Sequence, residues 1–214
     1  MKRTLSLLSA MMIAGTISYA GGDIVGEYLP LEKHDSGFYA GGAVSIQRTY
    51  SDDSDWFDDN VKGQDKTVPL TAIAGYQFNE YFAIEGRISK SIYEEDYADV
   101  LTYSVFLKPQ YPINDDWKVY ALIGYGVVDV EGTDGDTPAA NVGATIVDSG
   151  SFQWGIGTSF RFFDNWSIFV DYTSLMMDKS IPSQPLYHYD IAEGRTWDEI
   201  SDDSINVGVT YLFD

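Results

Sequence analysis

From Phe38 to its end the chain alternates between large apolar residues and small or polar ones. Side chains on a strand point to opposite faces in turn, so a period of two predicts β-strands. Eight are predicted, over residues 37–49, 67–78, 82–93, 100–112, 117–129, 150–163, 166–177 and 204–213. In the last, Ile205, Val207, Val209, Tyr211 and Phe213 share one face, and Asn206, Gly208, Thr210 and Leu212 the other. In the fifth, Trp117, Val119, Ala121, Ile123, Tyr125 and Val127 stand opposite Lys118, Tyr120, Leu122, Gly124, Gly126 and Val128. In the sixth, Phe152, Trp154, Ile156, Phe160 and Phe162 stand opposite Gln153, Gly155, Gly157, Ser159 and Arg161.

Alternation fits a soluble β-sandwich or a lipocalin as well as a barrel in lipid. Two further features favour the barrel. Aromatic residues gather at strand ends: Tyr76, Phe78, Trp117, Phe162, Trp166, Tyr211 and Phe213 form an expected girdle, with Tyr81, Phe82 and Tyr111 beside them. Rings with a polar edge favour the headgroup boundary. Connection lengths also alternate. Residues 79–81, 113–116 and 164–165 are short turns, while 50–66, 94–99, 130–149 and 178–203 are long. Outer-membrane barrels put short turns in the periplasm and long loops outside. The expected fold is therefore all-β: an eight-stranded, antiparallel, up-and-down transmembrane β-barrel over residues 37–214, located in the outer membrane.

Charge sharpens the partition. The formal charge is −20, with 33 Asp plus Glu against 13 Lys plus Arg. The segments 51–66, 93–99, 129–148 and 178–203 carry −4, −4, −5 and −5, so the acid is expected on the outer loops. Such acidity excludes a nucleic-acid binder, because a phosphate backbone wants Lys and Arg. No Cys is present, so disulfide scaffolds and Cys-ligated metals are excluded.

Residues 1–20 carry the pattern of a cleavable signal peptide. Lys2 and Arg3 precede an apolar stretch from Leu5 to Ile17, and Ser18-Tyr19-Ala20 offers small residues for cleavage. A retained anchor is the alternative, but the stretch is short for a spanning helix. Residues 21–36 read as a polar periplasmic lead-in.

Several motifs carry a family likeness. Gly37-Phe38-Tyr39-Ala40-Gly41-Gly42 stands at the first strand. Gly75-Tyr76-Gln77-Phe78-Asn79 precedes Phe82-Ala83-Ile84-Glu85-Gly86. Val119-Tyr120-Ala121 with Gly124-Tyr125-Gly126 marks the fifth strand, and Val207-Gly208-Val209-Thr210-Tyr211-Leu212-Phe213 the closing one. In these the chain resembles the small OmpA/OmpX-type, porin-like outer-membrane β-barrel family. The resemblance implies outer-membrane lipids and lipopolysaccharide as surroundings. It also implies that the outer-membrane assembly machinery reads the C-terminal strand. One departure is that Asp214 follows Phe213, where the family ends on an aromatic residue. The periplasmic peptidoglycan-binding domain of larger members is not expected here.

The inward face carries ionisable groups: Glu85, Arg87, Lys108, Arg161 and Asp171, joined by Gln47, Gln110 and Gln153. Buried charges persist when paired, since desolvation is costly. The expectation is that these groups pair and plug the lumen, because eight strands enclose barely more than their own side chains. A narrow ion path through the same groups is the rival. A rim-site lipid A-modifying enzyme is a third reading, but a nucleophile needs a base within reach. His34 falls in the lead-in and His188 in the fourth loop, beside Ser183, Tyr187 and Asp190. No catalytic residue, cofactor or metal is assigned, and the chain is not expected to be an enzyme. The acidic run 52–60 is rich in hard oxygen ligands but lacks the spacing of a Ca²⁺ loop, and Glu94-Glu95-Asp96 is a second acidic knot. The expected role is structural, with acidic loops meeting ions, lipopolysaccharide or other surfaces.

Overall fold

The computed structural model describes residues 36–50, 64–94, 98–132, 143–184 and 196–213 of the 214. They form eight strands: β1 (Gly37–Tyr50), β2 (Gln64–Asn79), β3 (Phe82–Glu94), β4 (Ala98–Pro112), β5 (Trp117–Gly132), β6 (Thr145–Phe163), β7 (Trp166–Gln184) and β8 (Trp197–Leu212). Each pairs antiparallel with its neighbour in sequence, and β1 also pairs with β8, so the sheet closes into a barrel. Closure leaves no edge strand with unpaired backbone groups.

Three tight turns join strands at one end, and each has a local reason. The Asn79 side-chain oxygen accepts from the Tyr81 amide at 2.8 Å. Asn114 likewise accepts from the Asp116 and Trp117 amides at 3.0 and 2.9 Å. Asn does this readily because its side chain mimics a backbone turn. Between β6 and β7, Asp164 takes a positive φ of 22°, in a two-residue turn of a kind that favours such backbone.

The outward face matches the expected apolar set. Ile123, Ile156 and Val209 are 46%, 62% and 39% exposed, whereas Glu85 on the inner face is 1% exposed. The expected girdle stands at the short-turn end. Phe38, Tyr76 and Phe78 make successive edge-to-face contacts, and so do Trp166, Tyr211 and Phe213. Trp117 and Phe162 are exposed beside them.

Strand bounds agree with the alternation within one residue at the short-turn end. At the other end all eight strands run further than it predicts, by up to seven residues in β7 and β8. Much of the acid expected on outer loops therefore stands on strands: Asp129, Glu131, Asp148, Asp178, Asp198, Glu199, Asp202 and Asp203. The cause is a change of sign. In β5, Ile123, Tyr125 and Val127 point out, opposite inward Gly124 and Gly126. Two residues further, Asp129 and Glu131 point out, and Val128 and Val130 are fully buried inside. The greasy side has moved from the perimeter to the centre, so a single apolar face no longer marks the strand. The β7–β8 ladder adds three register shifts after Ser174, which scramble the period again.

A closed barrel of this kind resists detergent until heated. Unboiled and boiled samples are expected to migrate differently on a detergent gel, and equal mobility would refute the closed sheet.

Candidate functional site

The barrel interior is layered, and its middle layer is an ionic network. Arg87 on β3 is the pivot. Its Nε donates to Glu85 Oε1 at 2.7 Å, and its two terminal nitrogens donate to the Asp171 oxygens at 3.0 and 2.7 Å. Glu85 Oε2 accepts from Lys108 Nζ and from the Tyr39 hydroxyl, both at 2.7 Å. Asp171 accepts from the Tyr120 hydroxyl at 2.8 Å and from Asn206 Nδ2 at 2.7 Å. Two carboxylates meet two cations, so their formal charges cancel. The Lys108 ammonium lies 4.2 Å from the Tyr120 ring centre, and the Arg87 guanidinium 5.6 Å from the Phe106 and Phe169 rings. Such placements add a cation–π attraction.

Six strands supply these partners: β1, β3, β4, β5, β7 and β8. The other two supply room. A Cβ on Gly157 of β6 would meet the Asp171 Cβ at 2.5 Å and the Tyr120 ring at 2.7 Å. A Cβ on Gly75 of β2 would run into the Tyr39 ring. Every strand thus contributes either a partner or a vacancy.

Toward the long-loop end lies a layer of hydroxyls and amides. Asn206 receives the Ser45 hydroxyl and donates to Thr173 at 3.1 Å, while Thr71 and Ser89 lie 2.8 Å apart. Asp202, wholly buried, accepts from Gln47 Nε2 at 2.8 Å and the Thr49 hydroxyl at 2.7 Å. Beyond and beside it sits an apolar cluster from the ends of β4–β8, including Val100, Val128, Val130, Ile146, Met176 and Ile200. Four of these, Val128, Val130, Met176 and Ile200, are completely inaccessible to water. Toward the short-turn end a polar vestibule of about 80 Å³ lies below the network, lined by Lys108, Gln110, Asp116, Lys118, Arg161 and others.

Of the groups expected to plug the lumen, Glu85, Arg87, Lys108 and Asp171 come together. Arg161 does not join them. It lies at the vestibule rim, 3.1 Å from Asp116 and bonded to the Asp115 carbonyl. It shares the inward face but sits two residues from the end of β6. Gln153 is buried outside the network, and neither of its side-chain amide atoms has a partner among the described residues. Sequence reasoning missed Tyr39, Tyr120 and Asn206 as partners, although their positions in the alternation put all three on the inward face. It also missed Asp202, which it left in a loop. His34, His188 and the acidic run 52–60 lie outside the described residues, as do residues 95 and 96 of the second run.

The family profile for the outer membrane protein beta-barrel domain matches residues 6–213. No curated protein matches the chain. Among solved structures the chain is similar to Neisserial surface protein A, at 15% identity and a TM-score of 0.55, covering 84% of this chain and 99% of that one. It is similar to Ail, the attachment invasion locus protein of Yersinia pestis, solved with the heparin analogue sucrose octasulfate: 16% identity, TM-score 0.54, 84% of this chain and 100% of that one. It is also similar to the outer membrane protein AlkL, at 13% identity and TM-score 0.52, covering 93% and 97% of the two chains. At these identities the likeness is one of fold.

Removing one partner of a buried ion cluster leaves the others uncompensated. Arg87→Leu is expected to lower unfolding stability by about 3–5 kcal/mol. Gln153→Leu, which deletes two unpartnered polar atoms, is expected to raise it by about 1–3 kcal/mol. Urea titration of the protein in lipid vesicles measures both, and effects of the same sign would contradict the assignment of partners.

Proposed function

This chain belongs to the outer membrane protein beta-barrel domain family, and on that premise we propose that it is a structural protein of the outer membrane whose lumen is sealed at two levels. The observation that carries the reading is the stacking of two unlike barriers. The Glu85–Arg87–Asp171–Lys108 network closes the middle, and the apolar cluster with buried Thr49 and Asp202 packs the long-loop end. A steady ion path needs a wetted route, and an eight-stranded barrel has little spare width. The narrow-channel alternative loses ground on this point. The lipid A-modifying alternative rests on His188, which lies outside the described residues.

In this reading residues 1–20 direct export and are removed, and the assembly machinery reads the closing strand with its Tyr211 and Phe213. The outward acids Asp129, Glu131 and Asp148 stand at the end where the barrel leaves the membrane. There they share divalent cations with lipopolysaccharide phosphates, which also carry negative charge. The polyanion bound by Ail does not transfer to this chain, because acidic segments repel a sulfated ligand. No reaction is assigned to the protein.

In planar bilayers the wild type is expected to show no steady conductance, and Arg87→Ala alone none either, since the apolar level persists. Conductance is expected when Arg87→Ala is combined with Val130→Ser and Met176→Ser. A steady current through the wild type would sink the sealed-lumen reading. Deletion of the gene is expected to sensitise cells to chelator plus detergent, and unchanged sensitivity would remove the envelope role.

A further inference from the structure

The outward face of β6 carries Trp154, Ile156, Thr158, Phe160 and Phe162 in alternation. Four are large, and Thr158 is not. Across the ladder Thr158 faces Val119 on one side and Val170 on the other, and Phe160 faces Trp117 and Ile168. The wall therefore dips at Thr158. The dip is a groove of about 180 Å³, bounded by Trp117, Phe160, Ile168 and Val170.

The polar atoms of this groove are turned away from its contents. The Trp117 indole N–H donates to the Thr158 hydroxyl at 2.5 Å, and that hydroxyl donates to the Lys118 carbonyl at 2.9 Å. An indole N–H near a membrane boundary ordinarily seeks water or a headgroup. Here it is satisfied by the protein. The ring is free to stand as one wall, and the surface offered to the membrane is apolar.

We propose that this groove is a binding site for one acyl chain of a glycerophospholipid in the periplasmic leaflet. The outer-membrane location puts lipid tails against this face. The groove lies in the half of the barrel nearer the short turns, which is the periplasmic half. Thr158 is five residues from the end of β6, about 16 Å along the strand before tilt. That depth falls within one leaflet of a hydrocarbon core roughly 30 Å thick, on the side opposite lipopolysaccharide. A second copy of the chain fits less well. A stable protein contact buries about 800 Å² per partner, and a groove bounded by four side chains offers far less. A flexible tail conforms to it without needing a matched knob. The site is independent of whether the lumen is sealed.

The test uses the full protein in vesicles of phosphatidylethanolamine and phosphatidylglycerol doped with a phosphatidylethanolamine bearing a diazirine on its acyl chain. After irradiation, adducts mapped by peptide mass spectrometry are expected to concentrate on Trp117, Phe160 and Ile168. Thr158→Phe and the milder Thr158→Leu fill the groove, and either is expected to abolish that enrichment while keeping the heat-dependent gel shift. Adducts spread evenly onto Ile84, Ile123 and Ile205 in the wild type would overturn the site. Protein–protein cross-links through Trp117 would overturn it too, in favour of a second copy.

Discussion

Backbone amides and carbonyls cannot stay unpaired in lipid, where no water replaces a missing partner. For a sheet the remedy is closure, and here the β1–β8 pairing supplies it. Closure then dictates the rest. It points one face of each strand at lipid and the other at a narrow lumen. The lipid side must be apolar, so the lumen receives what is left over: glycines, hydroxyls, amides and charges. Those groups have lost bulk water as well, and must satisfy one another. The contacts around Arg87 follow from this second demand, since any one carboxylate or cation left alone there would be costly.

The constraint is local to the membrane. Toward the long-loop end the outward face of the strands turns polar, and the ordinary rule of a soluble domain returns. Asp129, Glu131 and Asp148 face out, while Val128, Val130, Ile146 and Ile200 pack inside. Along single strands the barrel thus changes from polar-centred to apolar-centred. The two packed layers in the lumen are products of these two environments, which is why they are chemically unlike.

This inversion explains what could be read from the residues and what could not. The facing of Ile123, Ile156, Val209, Glu85 and Asp171 was legible, because alternation fixes the face directly. The short turns were legible through Asn79, Asn114 and Asp164. Strand ends beyond the membrane were not. There the apolar set swaps faces, as between Val127 and Val128, and a pattern reader sees the period dissolve into an acidic loop. Asp202 was lost for that reason, although it pairs with Thr49 in the β1–β8 ladder and its side chain accepts from Gln47 and Thr49.

The interior network exposes a different limit. Alternation gives a residue's direction but not its height, nor its angle around the axis. Arg87 and Arg161 both point inward, and alternation alone does not separate them. Height does: Arg87 lies deep enough that two carboxylates must neutralise and bind it, whereas Arg161 reaches the rim, where Asp116 and the Asp115 carbonyl hold it. Angle matters as much, because Arg87 and Asp171 come from opposite sides of the barrel and meet only if nothing stands between them. The small Gly157 and Gly75 guarantee that opening by giving their volume to Tyr120 and Tyr39. A glycine on the lumen face is therefore as much a part of the network as the charges. Its signature in sequence is a missing side chain beside an inward tyrosine, legible once the register between strands is known and silent before it.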